Sequence, residues 1–353
     1  MSSGPARPDY EDVVRDVQAA SRKAGARVRV VSLGRSVEGR DIPCAICTDP
    51  HTPPQDKQHV MIVAGQHGCE ESGRAIALEL LSFLASDAPE AASLLARQVI
   101  AIAPVANPDG AMHDTMRNAE DVDVAHTYAF DAPAGSAEGR LLETFALDFV
   151  PDVFVDVHGR AGGGMKELAW LSPSLRFSPD QYFLTMISAE MARAAEQAGF
   201  PQCEFSPPGE LTVRPGPVCM LGEKLAAELK TLCLGLETIE YYYGEPEWRA
   251  TGLARLRRLL RFGMQDDFGL GEPGYPCSLV SGSRIYGLKA HGATAEARRR
   301  NRVELVRFLR NNYALVERGE DGLDRAARVR VLSRSCDGQN PGRFALLLRF
   351  RKP

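Results

Sequence analysis

Residues 59–85 read HVMIVAGQHGCEESGRAIALELLSFLA and contain a strand, a turn and a helix in that order. The apolar run 59–64 has the length and composition of a buried strand, and a glycine ends it. From residue 73 onward the apolar residues recur at the spacing of an amphipathic helix. Between strand and helix the chain places His67 and Glu70. In α/β proteins, a turn that follows the carboxyl end of a strand commonly binds a ligand.

The alternation of strand and helix continues along the chain. Three further apolar runs resemble the first: VIAIAPVA (99–106), VFVDV (153–157) and LCLGLETI (232–239). Helix-length amphipathic segments lie around them, such as DYEDVVRDVQAASRKAG (9–25) and EGRLLETFALDFV (138–150). Strands that are apolar on both faces are typical of sheets covered on both sides. The sequence therefore predicts an α/β fold, a mainly parallel mixed sheet with helices on both faces.

Polar groups follow each of the four predicted buried strands. The first strand is followed by His67 and Glu70, and the others are followed by Asn107, His158 and Glu240. Because the carboxyl ends of parallel strands meet at one edge of a sheet, we expect these side chains to converge in one crevice. A lone histidine at a strand end is often only a hydrogen-bonding side chain. Polar groups at four strand ends together indicate a shared site.

The residue types in this crevice are typical of a catalytic zinc site. Zinc favours imidazole nitrogen and carboxylate oxygen, and a catalytic site has three protein ligands and one open position. His67 and Glu70, at one turn, can reach the same ion, and His158 is the obvious third ligand. A nearby carboxylate would move the proton of an activated water. Glu240 is the favoured carboxylate and Glu237, on the opposite face of the strand, is the competing assignment.

In their order and spacing, these motifs resemble the zinc carboxypeptidase family, the carboxypeptidase A-like metallopeptidases. The resemblance rests on H-G-C-E at 67–70, N-P-D-G at 107–110, D-V-H-G at 156–159 and T-I-E at 238–240. The stretch SLGRSVEGRDIPCAI (32–46) is similar to the strand, turn and strand that precede the metal motif in that family. The resemblance covers roughly residues 8–265 of the chain. It implies a carboxypeptidase-like α/β/α core.

The resemblance also implies a role for single residues. The three metal-site residues named above would bind one Zn²⁺ per chain, and Glu240 would act as general base and acid. Arg117 matches the arginine that polarises the scissile carbonyl, a role that suits a fixed guanidinium. Asp123 matches the carboxylate that orients the first zinc histidine.

Two departures from the family pattern change the expected substrate. In the family an Asn-Arg pair grips the terminal carboxylate of the substrate, and here Ala125 and His126 stand in its place. The family's mobile tyrosine, which precedes the catalytic glutamate, has no counterpart either. We therefore expect a zinc-dependent hydrolase of peptide or amide C–N bonds with non-standard C-terminal recognition. The candidate substrate-binding residues are Asn107, His126, Arg160 and Arg214.

Two alternatives stay open at this point. One is a small-molecule deacylase, which would resemble the related aspartoacylase and succinylglutamate desuccinylase enzymes that cleave N-acyl amino acids. The other is a non-catalytic binding relative that keeps the fold. Activity on N-acyl amino acids would indicate the first, and unchanged turnover in a Glu240→Gln variant would indicate the second.

The C-terminal part of the chain differs in composition from the rest. Residues 1–250 carry 21 Lys and Arg against 36 Asp and Glu, whereas residues 251–353 carry 21 against 10. We therefore predict a catalytic domain of residues 1–265 and a small basic α+β appendage of residues 266–353. The basic run ARRRNR (297–302) has few aromatic neighbours, so we interpret it as a solvated helix face, not a nucleic-acid site.

The sequence also bears on location and partners. No apolar run approaches the roughly 20 residues that a membrane helix requires, and the N-terminal residues lack the apolar core of a secretory signal. We therefore expect a cytoplasmic protein that acts on a peptide or a small amide, with no nucleic-acid or membrane partner. The oligomeric state stays open.

Overall fold

The fold is described from a computed structural model of the 353-residue chain. The structure describes residues 8–52, 57–160, 168–170, 191, 194–195, 197–198, 204–206, 218–229, 231–239, 245–262, 316–318 and 324–326.

The described helices and strands alternate along the chain. The helices are α1 (Tyr10–Ala24), α2 (Glu71–Leu84), α3 (Pro89–Arg97), α4 (Pro108–His113), α5 (Ala137–Phe149), α6 (Leu221–Leu229) and α7 (Glu245–Phe262). The first six strands are β1 (Val28–Arg35), β2 (Asp41–Cys47), β3 (Gln58–Ala64), β4 (Gln98–Ala103), β5 (Tyr128–Ala129) and β6 (Val153–Arg160). The remaining strands are β7 (Leu168–Trp170), β8 (Glu204–Ser206), β9 (Val218–Cys219), β10 (Leu232–Ile239), β11 (Val316–Arg318) and β12 (Asp324–Ala326).

A mixed eight-stranded sheet organises the structure, in the order β1-β2-β4-β3-β6-β10-β7-β8. Its four central strands, β4, β3, β6 and β10, are parallel to one another. β1 and β2 are antiparallel at one side, and β7 runs antiparallel to β10 at the other. The four apolar runs predicted to be buried strands are these four central strands.

Helices cover both faces of the sheet, as the amphipathic pattern predicts. One core cluster packs α1, α2 and α7 against the sheet, around residues such as Val17, Leu80 and Leu256. The other packs α5 and α6 against the opposite face, around residues such as Leu142 and Leu225. All five side chains are fully buried. The predicted α/β class and layer arrangement are therefore confirmed.

The predicted division at residue 265 falls largely outside the described residues. Within the predicted appendage the structure describes β11 and β12, which pair antiparallel. The two-domain division therefore stays a prediction. Across the described part of the chain, no helix combines the length and the apolar character that crossing a bilayer demands.

Candidate metal centre

The turn after β3 carries the first two predicted metal ligands. Gly65 ends the strand with φ of +66°, a left-handed conformation that glycine adopts without steric cost. His67 and Glu70 follow, and α2 begins at the next residue, Glu71. At Gly73, in the first turn of α2, a Cβ would lie 2.8 Å from the carbonyl oxygen of Val157. The helix can therefore start close against β6, the strand that carries the third predicted ligand.

The three predicted ligands converge. Oε1 of Glu70 lies 2.7 Å from Nδ1 of His67, and Oε2 of Glu70 lies 2.8 Å from Nδ1 of His158. Donor atoms of the three residues all lie within 4.8 Å of one another. Both histidines are buried, and their ring centroids are 4.9 Å apart. Residues 88 positions apart in sequence thus form one cluster.

Each histidine also contacts a second carboxylate through its other ring nitrogen. Nε2 of His67 lies 3.2 Å from Oδ1 of Asp123. Nε2 of His158 lies 3.2 Å from Oδ1 of Asp156, a close charge-to-ring contact that is not a well-aligned hydrogen bond. A carboxylate behind a metal-binding histidine fixes the ring orientation and raises the basicity of the ligand nitrogen.

The donor set fits a cation better than it fits protons. A neutral imidazole carries one N–H, so it can donate to only one carboxylate. His67 and His158 each face carboxylates with both nitrogens, which without a cation requires two buried imidazolium rings. A zinc ion bound by the two Nδ1 atoms and Glu70 would remove that requirement, because a neutral His67 can donate to Asp123 from Nε2 and a neutral His158 would place its Nε2–H beside Asp156. The group has the residue types of a three-ligand zinc site.

The pKa values of the three predicted ligands are shifted by their close contacts with one another and with the neighbouring carboxylates. Burial by itself would lower the pKa of His67, but hydrogen bonds to Asp123 and Glu70 outweigh it and raise the pKa to about 9. Burial likewise opposes the shift at His158, where the charges of Asp156 and Glu70 hold the pKa well above its ordinary value. Burial would raise the pKa of Glu70, yet the two histidines lower it to about 2. Groups this strongly perturbed in one cluster indicate a functional site.

Asp123 joins the metal cluster to His126. Its Oδ2 lies 3.1 Å from Nδ1 of His126, and its Oδ1 faces His67. Burial would raise the pKa of Asp123, but the hydrogen bonds from His126 and His67 keep it well below its ordinary value. The His67, Asp123 and His126 donors also lie within 4.8 Å of one another, and these hydrogen bonds account for that proximity. The structure therefore brings the predicted orienting carboxylate to the metal cluster.

Two other predicted site residues make contacts within the protein. Asn107 is fully buried; its side-chain oxygen caps α4 by accepting from the backbone N–H of Gly110, and its amide nitrogen donates to the Gln66 carbonyl oxygen. These contacts give Asn107 a structural role. Arg117 lies on the loop after α4, half exposed, and its Nη1 donates to the carbonyl oxygen of Asp121. The catalytic role of Arg117 and the substrate-binding role of Asn107 stay predictions.

The side chains of three predicted site residues lie outside the described part of the structure. Glu240 and Arg214 lie outside the described residues, and the side chain of Arg160, the last residue of β6, does as well. The competing general base, Glu237, is described. It is the register partner of His158 on the neighbouring parallel strand.

Sequence reasoning missed two buried residues beside the ligands. Asp156 is the first residue of the quoted D-V-H-G motif, two positions before His158, and the two-residue period of a strand could have placed both on one face. Gln66 directly precedes His67. Its Nε2 donates to both carboxylate oxygens of Asp156, at 2.8 and 2.7 Å. No spacing rule relates residues 66 and 156, so only the folded structure shows this pair.

The chain is similar to zinc carboxypeptidases in sequence. The zinc carboxypeptidase family model matches residues 13–138, which include His67, Glu70 and Asp123. The human carboxypeptidase N catalytic chain is 32% identical over 108 residues, which are 29% of this chain and 23% of that protein. The matched segment therefore spans less than a quarter of that relative.

The fold is similar to that of solved metallo-carboxypeptidases. A metallo-carboxypeptidase from Burkholderia cenocepacia is 24% identical, with a TM-score of 0.57 over 71% of this chain and 68% of that one. The carboxypeptidase A from Helicoverpa armigera is 16% identical, with a TM-score of 0.59 over 75% and 78%. At these identities the likeness concerns the fold. The resemblance predicted from the sequence is thus confirmed: the chain is similar to zinc carboxypeptidases in sequence over residues 13–138, and its fold is similar to theirs.

Proposed function

We propose that this protein is a zinc-dependent hydrolase of peptide or amide C–N bonds, with His67, Glu70 and His158 as the ligands of one zinc ion. The observation that carries the proposal is the position of Glu70, whose two oxygens face the Nδ1 atoms of the two histidines at 2.7 and 2.8 Å. The match to the zinc carboxypeptidase family model supports the same activity class. Peptides are the substrates that this relationship favours.

The described residues have separate tasks in such a reaction. Zinc bound by this cluster would polarise a carbonyl oxygen and lower the pKa of a water to roughly 7. Asp123 and Asp156 hold the two imidazoles so that Nδ1 faces the ligand cluster. Burial of both histidines keeps bulk water from competing with these contacts. The remaining requirement is a group that accepts the proton of the water and passes it to the leaving nitrogen.

We assign that proton transfer to Glu237, where the sequence favours Glu240. In a parallel sheet, register partners lie side by side on the same face, about 4.8 Å apart. Glu237 is the register partner of His158, so its side chain leaves the sheet next to a zinc ligand. Glu240 follows the last residue of β10 and, if the two-residue period continued, would face the opposite side. The assignment of Glu240 stays a prediction that the same experiment tests.

Substrate recognition in this proposal differs from the capture of a terminal carboxylate by arginine. His126 stands where the family has that arginine, and Nδ1 of His126 already bonds Asp123. Because a carboxylate can only accept, Nδ1 carries the proton, and a neutral His126 then has an acceptor at Nε2. Such a group suits a substrate that presents a hydrogen-bond donor, such as an amide. Arg160 and Arg214 remain the candidate cations for an anionic substrate.

The first experiment compares zinc content and turnover in matched variants. We expect about one zinc per chain after reconstitution, lost in His158→Ala, with Glu237→Gln retaining the metal and losing turnover by about a hundredfold or more. Glu240→Gln is the matched comparison, because it removes the same charge three residues away. A protein that binds no zinc would contradict the metal site. Loss of turnover only in Glu240→Gln would exclude Glu237 as the base.

The substrate panel should vary one group at a time. Three matched compounds are sufficient: a peptide with a free C-terminal carboxylate, the same peptide as a C-terminal amide, and an N-acyl amino acid. We expect the amide to be cleaved at least as well as the free acid. Strong preference for the free acid would contradict the proposed recognition, and preference for the N-acyl amino acid would indicate the small-molecule deacylase.

A further inference from the structure

A buried polar chain leads from the metal cluster into the protein interior. The hydroxyl of Tyr128 donates to Oε1 of Gln66 at 2.8 Å, and Nε2 of Gln66 donates to both oxygens of Asp156. One oxygen of Asp156 then lies 3.2 Å from Nε2 of His158. All four residues are at most 3% exposed. These four residues therefore form one line of contacts that ends on a proposed zinc ligand.

The direction of each hydrogen bond in this line is fixed by its partners. The carboxylate of Asp156 only accepts, so the amide nitrogen of Gln66 must face it, and the amide oxygen then faces Tyr128. Burial first, and the nearby charge of Asp156 second, hold the pKa of Tyr128 well above its ordinary value. Tyr128 therefore keeps its proton and acts as a donor at neutral pH. Because each hydrogen bond in the line can run in only one donor-to-acceptor direction, the line holds the Asp156 carboxylate in one orientation.

Part of the packing that fixes this line lies outside the turn that carries His67 and Glu70. Tyr128 lies on β5, which pairs with β9 outside the large sheet, at the register Tyr128 to Cys219. Gln66 sits in the turn after β3, and Asp156 lies in β6. Contact with the second strand pair thus sets the position of a carboxylate that lies within the main sheet.

We propose that Gln66 and Tyr128 are positioning residues for His158. They hold Asp156 against Nε2 of His158, so that Nδ1 of the same ring presents its lone pair beside Glu70. The inference rests on the proposed zinc site, because it concerns how one of its ligands is oriented. Loss of the Gln66 amide leaves Asp156 free to turn, and loss of the Tyr128 hydroxyl removes the contact that orients the Gln66 amide, so we expect the zinc affinity to fall in both cases. Groups behind metal ligands commonly contribute 10- to 100-fold to metal affinity.

Gln66→Met is the main variant, because methionine keeps a similar length and removes both donors. Zinc affinity is measured by competition with a chromophoric chelator, and the Co²⁺-substituted protein is examined by visible absorption, which reports on ligand geometry. We expect zinc affinity to fall about 10- to 100-fold in Gln66→Met, to fall about threefold to tenfold in Tyr128→Phe, and the cobalt spectrum to change in both.

Tyr10→Phe is the matched control for the tyrosine variant. The Tyr10 hydroxyl also donates a hydrogen bond, to the carbonyl oxygen of Asp41 at 3.0 Å, but Tyr10 lies on α1, and this bond involves none of the proposed ligands. We expect its zinc affinity and cobalt spectrum to match those of the unaltered protein. Thermal unfolding of the metal-free proteins separates a general loss of stability from a specific loss of metal affinity.

The outcomes separate this inference from the proposed function. An unaltered protein that binds no zinc contradicts the zinc site and this inference together. Zinc binding that is intact in the unaltered protein and within twofold in both Gln66→Met and Tyr128→Phe overturns the positioning role alone. If Gln66→Met fails to fold, Tyr128→Phe decides, because it removes a single oxygen atom. Lower thermal stability with unchanged zinc affinity and cobalt spectrum would also overturn the inference.

Discussion

The backbone of Gly68 packs directly against the backbone of Gly110. A Cβ added at Gly68 would lie 2.0 Å from the carbonyl carbon of Gly110 and 2.4 Å from the backbone nitrogen of Ala111. The turn that carries His67 and Glu70 is therefore held against α4 by two glycines from different motifs. An atom at this position cannot be accommodated by rotating a side chain, because its neighbours are backbone.

Gly68→Ala is expected to displace the metal-binding turn and to lower zinc affinity by at least tenfold. The physical reason is the backbone overlap, which moves His67 and Glu70 away from His158. Zinc affinity is measured by chelator competition. Gly222→Ala is the control, since this buried glycine of α6 would place a Cβ 3.3 Å from the Cβ of Cys233, away from the ligands. Equal zinc affinity in the two variants would contradict the prediction.

Zinc affinity should rise with pH between about 6.5 and 9. The pKa of His67 is raised to about 9 in the metal-free protein, from an ordinary value of about 6.5, so zinc must displace a proton from this ring at neutral pH. We expect about a tenfold gain in affinity per pH unit for each proton released, one from His67 and one from His158, whose pKa is also raised. Calorimetry in two buffers of different ionisation enthalpy counts the protons. Affinity that does not change with pH would show that His67 is not a ligand.

The stability of the metal-free protein should change in the opposite direction over the same pH range. A histidine whose pKa is higher in the folded state stabilises that state below its unfolded pKa, and this contribution is lost as pH rises through the folded value. We therefore expect the free energy of unfolding of the metal-free protein to decrease between pH 6.5 and 9. Zinc-loaded protein should show no such decrease, because the metal replaces the proton. Urea unfolding at three pH values measures both forms.

His126→Arg is expected to shift substrate preference toward free C-terminal carboxylates. A guanidinium at this position could bind a carboxylate through two charge-assisted hydrogen bonds, which neutral histidine cannot do. We expect kcat/KM for the free-acid peptide to rise roughly tenfold relative to that for its C-terminal amide. His113→Arg is the control, because His113 is exposed and contacts Glu38. The same shift in both variants would indicate a general charge effect.

Asp109 should be important for stability and not for metal affinity in itself. It is fully buried and accepts hydrogen bonds from the Ser36 hydroxyl at 2.7 Å, the Glu38 backbone N–H at 2.9 Å and Nη1 of Arg40 at 2.8 Å. Asp109→Ala leaves these donors without their acceptor, and we expect a loss of about 3 kcal/mol in the free energy of unfolding.

The matched surface variant for that experiment is Asp87→Ala. The Asp87 side chain is 97% exposed and pairs with Arg27, and exposed pairs contribute about 0.5 kcal/mol. Urea unfolding compares the two variants with the unaltered protein. A loss below about 1 kcal/mol in Asp109→Ala would show that the buried contacts are replaced by water or by neighbouring groups.

Asp109 also links two sequence motifs to which the proposed function gives no common role. It belongs to N-P-D-G, and its three donors belong to the turn S-V-E-G-R. The two motifs lie about 70 residues apart in the chain, with Ser36 and Asp109 separated by 73 positions. Part of their resemblance to the family pattern therefore reflects packing and not catalysis, because one buried carboxylate on α4 accepts three hydrogen bonds from the turn.

The choice between Glu237 and Glu240 marks the limit of sequence reasoning at the site. The two-residue period of a strand predicts that Glu237 and Glu240 face opposite sides, but it does not say which side holds the zinc ligands. The β6–β10 register favours Glu237 in our proposal, because Glu237 is the partner of His158. Register depends on how two strands pair, and no local pattern within β10 contains that information.

The sequence by itself determined the layered α/β architecture and the metal-ligand candidates. Buried strands read as apolar runs and helices as amphipathic ones, and ligand chemistry restricts the candidates to histidine and carboxylate at strand ends. Only the tertiary structure placed Tyr128 and Gln66 behind Asp156, and only it showed that Asp123, expected beside His67, also contacts His126. These contacts join residues far apart in the chain, and their geometry depends on strand register and on the close packing of backbones, which periodicity and composition do not encode.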